Sequence, residues 1–117
     1  MAEILIVEDD KAIQNLLKLA LKQENHNVMA VGTAREGIDY TVKNIVDVMI
    51  LDLGLPDMDG INVVKTVREF NEKMPILVVS ARDDENEKIK CLDAGVNDYV
   101  QKPFSSAELM ARVRAAI

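Results

Sequence analysis

The fold of this chain is indicated first by Ile4-Leu5-Ile6-Val7-Glu8-Asp9-Asp10, where a continuous apolar run ends in three adjacent carboxylates. Later apolar runs also end in polar residues, namely Asp52, Ser80 and Lys102. Segments with helical periodicity separate the runs, and this alternation predicts parallel strands. Because parallel strands present their carboxyl ends along one edge of a sheet, we expect these polar side chains to meet in one place.

The composition predicts a single globular domain. The chain has 117 residues, of which 49% are hydrophobic, so it can form a core and is not expected to be disordered. No apolar run approaches the roughly 20 residues that cross a bilayer, and we recognise no secretory signal. A single cysteine, Cys91, excludes an internal disulfide and favours a reducing, cytoplasmic location.

Charge and residue usage exclude several kinds of site. The net charge of −6 argues against direct binding of nucleic acid, which requires clustered Lys and Arg. Aromatic residues make up 3% of the chain, too few for base-stacking platforms. His26 is the only histidine, so a metal site must use oxygen ligands and take a hard cation such as Mg²⁺.

Five strands and five helices are predicted, without a linker or a repeat. The strands are expected near residues 3–7, 28–31, 46–51, 75–79 and 99–101. Helix starts are predicted where a capping residue precedes a glutamate by three positions: Thr33 with Glu36, Asp84 with Glu87 and Ser105 with Glu108. On the fourth helix, Ile89 and Leu92 are expected to face inward.

The strands are apolar throughout rather than alternating, which predicts burial on both faces. A doubly wound five-stranded parallel α/β sheet follows, with right-handed crossovers. Strand order 2-1-3-4-5 places strands one and three side by side at the switch point, where such folds bind ligands. The chemistry requires this order, because Asp9 and Asp52 must be neighbours to share a metal ion.

Asp52 and the acidic cluster are the first candidates for chemistry. Asp52 ends a buried strand and is interpreted as a nucleophile that accepts a phosphoryl group, with a turn or cap aspartate as the alternative. In the cluster, Asp9 is predicted to bind Mg²⁺ directly and Glu8 to assist through water. Asp10 is expected to cap the first helix.

Lys102, Ser80 and Tyr99 complete the candidate residues. A lysine is by default a solvated surface residue, but the position of Lys102 at the carboxyl edge favours pairing with the acidic pocket and then with a phosphoryl oxygen. Ser80 could donate its hydroxyl to the same group, or be a turn serine. Tyr99, judged from the residues alone, is half-buried packing.

Several motifs resemble the receiver domain of two-component response regulators, and the resemblance covers essentially the whole chain. They are Glu8-Asp9-Asp10, Leu51-Asp52-Leu53-Gly54-Leu55-Pro56, Ser80-Ala81-Arg82 and Lys102-Pro103-Phe104. The OmpR/PhoB subfamily of DNA-binding regulators is the most similar. The resemblance implies a flavodoxin-like and CheY-like (βα)5 receiver domain over residues 1–117, which catalyses only its own phosphorylation and dephosphorylation and is otherwise not an enzyme.

The resemblance also implies a mechanism. A sensor histidine kinase would phosphorylate Asp52, with Lys102 and Ser80 contacting the phosphoryl group. Mg²⁺, or Mn²⁺, would be bound by Glu8, Asp9, Asp52 and the backbone carbonyl of Gly54. Ser80 and Tyr99 would act as the switch, and the Lys102–Pro103 peptide bond would be cis.

In this subfamily, phosphorylation implies a homodimer formed by the fourth helix, the last strand and the last helix. By position, the pairs across the dimer are Lys88 with Glu108, Asp93 with Arg114, and Asp98 with Arg112. Glu108 is also the third residue of a predicted capping box, and the two roles conflict. DNA would be bound only through a C-terminal domain that lies outside residues 1–117, and we expect no membrane contact.

Three alternatives remain at this point. A flavodoxin-like cofactor binder would need a phosphate cradle after strand one, where this chain has carboxylates. A phosphatase with an aspartate nucleophile would carry a second aspartate at the position of Gly54. A degenerate receiver would act as a phosphorylation-independent interaction module.

Overall fold

Strands and helices alternate along the whole chain in the computed structural model, which describes residues 1–117. The strands are β1 (Glu3–Val7), β2 (Asn27–Val31), β3 (Val48–Asp52), β4 (Ile76–Ser80) and β5 (Asp98–Gln101). The helices are α1 (Lys11–Gln23), α2 (Ala34–Lys43), α3 (Gly60–Phe70), α4 (Glu85–Ala94) and α5 (Ser106–Ala116). No helix has both the length and the apolar character needed to span a membrane.

The five strands form one parallel sheet in the order β2-β1-β3-β4-β5, which confirms the predicted fold class and strand order. Strand β1 lies between β2 and β3, and Val7 is in register with Leu51. The residues that follow Val7 therefore lie beside Asp52, the last residue of β3. This register is what brings the two halves of the candidate site together.

Two strands begin later than predicted. Strand β3 starts at Val48 rather than at position 46, and Asp47, just before it, donates its N–H to the carbonyl of Glu3 at 2.7 Å. Strand β4 starts at Ile76 because Pro75 has no N–H to donate. The carbonyl of Pro75 still accepts from Met49 N at 2.9 Å, so the proline lies at the entrance of the strand.

The sheet is buried on both faces, as the continuous apolar runs predict. Leu5 and Val7 belong to one core cluster, with residues of α3 such as Val63. Ile4 and Ile6 point to the opposite face and join a second cluster, which includes Leu17 of α1 and Leu109 of α5. These two clusters hold the strand ends in fixed positions on which a site can be built.

The prediction that Ile89 and Leu92 face inward is wrong. The two side chains are 49% and 48% exposed, while Cys91 is the buried residue of α4. Small residues allow a helix to approach its neighbours closely, and α4 contacts the core through Cys91 and Ala94. The larger apolar side chains lie on the other side of the helix and remain in contact with solvent.

The predicted helix starts are confirmed. Asp10 caps α1 by accepting from the N–H groups of Ala12 and Ile13, Thr33 caps α2, and Asp84 caps α4. Ser105 accepts from Glu108 N at 3.3 Å at the start of α5. The carboxylate of Glu108 does not return to Ser105 but accepts from Arg112 Nε at 3.0 Å, so this capping box is only half formed.

Candidate functional site

The polar residues predicted to meet do meet at the carboxyl edge of the sheet. Glu8 and Asp9 follow β1, Asp52 ends β3, and Lys102 follows β5. One carboxylate oxygen from each of Glu8, Asp9 and Asp52 lies within 4.8 Å of the other two. Oxygen ligands at this spacing suit a hard divalent cation, so the three residues could hold a metal ion.

Glu8 is the most buried member of the cluster, at 3% exposure. Its Oε1 accepts from Lys102 Nζ at 2.9 Å, and its Oε2 accepts from Asp10 N at 3.1 Å. Burial raises the pKa of the Glu8 carboxyl, and the hydrogen bonds from Lys102 and Asp10 only partly oppose this effect. Asp9 is exposed by contrast and can offer its carboxylate to a ligand without moving the strand.

Lys102 bridges two of the three carboxylates. Its Nζ lies 2.9 Å from Glu8 Oε1 and 3.3 Å from Asp52 Oδ1. Burial by itself would lower the pKa of the ammonium, but the hydrogen bond to Glu8 and the charge of Asp52 outweigh burial and raise it. The pKa of Lys102 and the pKa of Glu8 are both raised. The carboxylates therefore stabilise the charged form of Lys102, whereas burial still destabilises the charged form of Glu8. One lysine therefore does not fully compensate the cluster.

The loop between β3 and α3, residues 53–59, brings backbone atoms next to Asp52. Gly54 pairs with Asp59 in an isolated bridge, and Gly60 N donates to Leu53 O at 3.0 Å. A Cβ added to Gly54 would lie 3.8 Å from Asp52 Oδ2, so the backbone of Gly54 is adjacent to the carboxylate. This loop is the predicted source of a carbonyl ligand.

Ser80 and Tyr99 both contact the backbone of Arg82. Ser80 is 2% exposed, and its Oγ accepts from Arg82 N at 3.0 Å. Tyr99 is half-buried, and its hydroxyl donates to Arg82 O at 3.1 Å, while Lys88 Nζ lies 5.5 Å from the ring centroid. The peptide bond between Lys102 and Pro103 is cis, as predicted.

Sequence reasoning missed Gln14, a polar residue of α1 that is 2% exposed. Its Nε2 donates to the carbonyl of Glu8 and, at 3.2 Å, to the carbonyl of Val31. These bonds hold the end of β1 against the end of β2, directly behind the acidic cluster. The available signal was an amide on the otherwise apolar side of the helix, between Ile13 and Leu17.

The charged residues of the predicted dimer face do not join the acidic cluster. They lie on and around α4, β5 and α5, and several have partners within the same chain. Arg112 contacts Asp98 at 2.9 Å and Glu108 at 3.0 Å, while Arg114 contacts Glu24 at 2.8 Å. Lys88 lies against the Tyr99 ring, and no ion pair is formed by Asp93.

Comparison with known families identifies the architecture. A family model described as the response regulator receiver domain matches residues 4–114. The chain belongs to the response regulator receiver family. It is 43% identical over 117 residues to the KDP operon transcriptional regulatory protein KdpE of Escherichia coli, covering 100% of this chain and 52% of the relative. KdpE is an OmpR/PhoB-type regulator, so the resemblance seen in the motifs is confirmed.

Solved receiver structures superpose closely on this receiver domain. The receiver domain of the Francisella response regulator 1452 has a TM-score of 0.94 at 31% identity, covering 99% of this chain and 96% of that one. The receiver domain of the sensor histidine kinase PA1611 from Pseudomonas aeruginosa, with a magnesium ion coordinated in its active-site cleft, has a TM-score of 0.89 at 28% identity and covers 97% and 95%. The present chain spans about half the length of the curated relative.

Proposed function

We propose that this receiver domain accepts a phosphoryl group on Asp52 from a partner histidine kinase, with Mg²⁺ or Mn²⁺ bound beside it. The observation that carries the proposal is the convergence of three carboxylates within 4.8 Å, with the Lys102 ammonium 3.3 Å from Asp52. The Glu8-Asp9-Asp52 cluster carries three negative charges and Lys102 one positive charge. A divalent cation would therefore bring the site to neutrality and relieve the burial of Glu8.

The contacts indicate which residues would bind the metal directly and which would bind it through water. Both carboxylate oxygens of Glu8 already accept hydrogen bonds, so Glu8 would contact the metal through water. Asp9 is exposed and Asp52 has Oδ2 on the side of Gly54, so these carboxylates would bind directly, together with the Gly54 carbonyl. Bound here, the cation supplies charge neutralisation for phosphoryl transfer.

In the transfer step, a carboxylate oxygen of Asp52 attacks the phosphorus of a phosphohistidine. The new P–O bond forms as the P–N bond breaks, and the bonding electron pair leaves with the imidazole nitrogen. Lys102, already within 3.3 Å of Asp52, would bind a phosphoryl oxygen. The chain would act as catalyst of this transfer and of the later hydrolysis, on itself only.

The switch would involve Ser80 and Tyr99. Phosphorylation adds roughly −1.5 to −2 charges and three acceptor oxygens beside Ser80. Ser80 Oγ accepts from Arg82 N, which leaves its own proton free to donate to a phosphoryl oxygen. A shift of Ser80 would change the Arg82 backbone and, through its carbonyl, the position of Tyr99. This is a shift in the population of two states.

The output would be a homodimer formed by α4, β5 and α5. KdpE is named as a transcriptional regulatory protein, and this chain aligns with about half of it. By that likeness, the receiver would control transcription through a DNA-binding domain outside residues 1–117.

Intact-mass measurement after incubation with acetyl phosphate and Mg²⁺ tests the phosphoacceptor. The wild-type chain should gain one phosphoryl group, and Asp52→Asn should gain none, because the amide is not a nucleophile. Omitting Mg²⁺ should also prevent the gain. Asp39→Asn is the matched control, since Asp39 is an exposed aspartate on α2 that forms no ion pair.

Two results would overturn the proposal. Equal phosphorylation of Asp52→Asn would place the acceptor elsewhere. No gain with acetyl phosphate or with a histidine kinase would favour the alternative, a degenerate receiver that acts as a phosphorylation-independent interaction module.

A further inference from the structure

One carboxylate fastens the loop of residues 53–59 to the beginning of α2. Asp57 Oδ1 accepts from Ala34 N at 2.9 Å, and Asp57 Oδ2 accepts from Arg35 N at 3.0 Å. Thr33, the capping residue of α2, accepts from the next amide, that of Glu36, at 3.1 Å. The first three N–H groups of α2 thus all have side-chain partners, and the first two are supplied by a different element.

Helix α2 is itself held close to the strand that carries the acidic cluster. A Cβ added to Gly37 would lie 2.7 Å from Val7 Cγ2, which leaves no space between the helix and β1 at this point. Val7 immediately precedes Glu8 and Asp9. A loop that is bonded to the start of α2 is therefore held at a fixed distance from the end of β1.

The same loop has little freedom at its other end. The Gly54–Asp59 bridge closes it on itself, and Gly60 packs so tightly that an added Cβ would lie 2.6 Å from Leu53 Cα. The contact between Asp59 and Arg82 is longer, at 3.5 Å. Asp57 is thus the residue that ties the loop to the β1 side of the site.

We propose that Asp57 is a positioning residue for the metal site: it holds the loop so that the Gly54 carbonyl faces the same point as the carboxylates of Asp9 and Asp52. This inference rests on the proposed function, in which Gly54 supplies a metal ligand. Asp57 acts only through the loop. The hydrogen bonds from Ala34 and Arg35 lower the pKa of the Asp57 carboxyl, which favours the charged form that accepts them.

Divalent-cation affinity of Asp57→Ala tests the inference. Free Mn²⁺ is counted by electron paramagnetic resonance during a titration of the whole chain, and Mg²⁺ is measured by competition. Removal of the carboxylate should weaken binding on the order of tenfold, at the lower end of what indirect partners of a metal site contribute. Asp57→Asn keeps one acceptor oxygen and should be intermediate.

Two controls separate positioning from general effects. Thr33→Ala removes a partner from the same helix start without touching the loop, and Asp39→Ala removes the same charge from the neighbouring surface. Both should bind Mn²⁺ within about twofold of wild type. In hydrogen exchange without metal, the amides of Ala34 and Arg35 should be less protected in Asp57→Ala and unchanged in Asp39→Ala.

The outcomes distinguish this inference from the proposed function. Wild-type affinity in folded Asp57→Ala, or an equal loss in Thr33→Ala, overturns the positioning role and leaves phosphorylation of Asp52 intact. No saturable Mn²⁺ or Mg²⁺ binding by the wild type overturns both. If Asp57→Ala does not fold, Asp57→Asn decides by the same criteria.

Discussion

Glu8 combines deep burial with a negative charge. The residue is 3% exposed, and its carboxylate has only the Lys102 ammonium and one backbone N–H as partners. Burying a charged group is unfavourable unless it is paired, and this pairing is shared because Lys102 also contacts Asp52. At the residue scale, the electrostatic cost of bringing the carboxylates together falls mainly on Glu8.

The stability of the metal-free protein should depend on pH through Glu8. The folded-state pKa of this carboxyl is raised above its ordinary value of 4.5, so the folded chain binds a proton while the unfolded chain is still ionised. The contribution of Glu8 to stability therefore rises as the pH falls from the folded-state pKa to about 4.5. Wild type should gain stability relative to Glu8→Gln over that window.

Urea unfolding at a series of pH values, without divalent cations, measures this difference. Glu72→Gln is the control, because Glu72 is an exposed glutamate with no ion pair. The free energy of unfolding of wild type minus that of Glu8→Gln should rise as the pH falls. If this difference stays constant or decreases, burial is not the main influence on the pKa of the Glu8 carboxyl.

The site residues that could be predicted are those marked by a pattern in the neighbouring sequence. Asp9, Asp52 and Lys102 could be placed because each follows an apolar run, and runs of this kind predict strand ends. Asp57 and Gln14 were missed because each acts on the backbone of another element, at the start of α2 and the end of β2. No local pattern specifies which backbone group will lie opposite a side chain.

At the scale of elements, the start of α3 is the tightest junction near the site. Gly60 opens the helix directly against the loop backbone, and an added Cβ would lie 2.6 Å from Leu53 Cα and 3.0 Å from Asp52 O. These two atoms belong to the backbone, which cannot rotate away as a side chain can. The loop that carries Gly54 is thus fixed by packing as well as by hydrogen bonds.

Gly60→Ala should destabilise the domain by about 1–3 kcal/mol, since overpacking forces the backbone to shift. Gly32→Ala is the matched control, because its nearest contact for an added Cβ is Gln14 Nε2 at 4.0 Å. The control should change stability by less than about 0.5 kcal/mol. Both values follow from urea denaturation. Equal stability of the two variants would contradict the packing argument.

Helix α4 shows where element-scale prediction failed. The large apolar side chains of Ile89 and Leu92 were expected to be buried, but the helix buries Cys91 instead. The side of α4 that packs against the core carries the small residues Cys91 and Ala94, and hydrophobicity alone does not single these residues out. The strand order was predicted correctly, because a metal site shared by Asp9 and Asp52, together with right-handed crossovers, allows few arrangements of the strands.

At the scale of the whole molecule, the proposed dimer must exchange contacts that already exist in one chain. Arg112 is bonded to Asp98 and Glu108, and Arg114 to Glu24. If these arginines form ion pairs across the dimer, those pairs would replace the ion pairs they already form within one chain. Lys88 is different, because its ammonium lies over the Tyr99 ring and has no carboxylate partner.

Lys88→Glu should therefore weaken dimerisation of the phosphorylated chain, and Lys88→Glu combined with Glu108→Lys should restore it. Arg114→Ala should have a smaller effect, since it breaks a contact with Glu24 in the same chain. Sedimentation equilibrium after phosphorylation, at low salt and at high salt, measures the dimer constants. Dimerisation that is insensitive to Lys88→Glu would place the interface elsewhere.

The bond between Lys102 and Glu8 joins residues that are 94 positions apart. During synthesis the acidic end of β1 leaves the ribosome first, and its counter-ion Lys102 follows 94 residues later. Strands β1, β2 and β3 can pair before then, yet the acidic corner stays uncompensated until the final strand is added. A nascent chain halted before Lys102 would thus lack the one ammonium that contacts Glu8 and Asp52, and the acidic pocket would have no counter-ion from the protein.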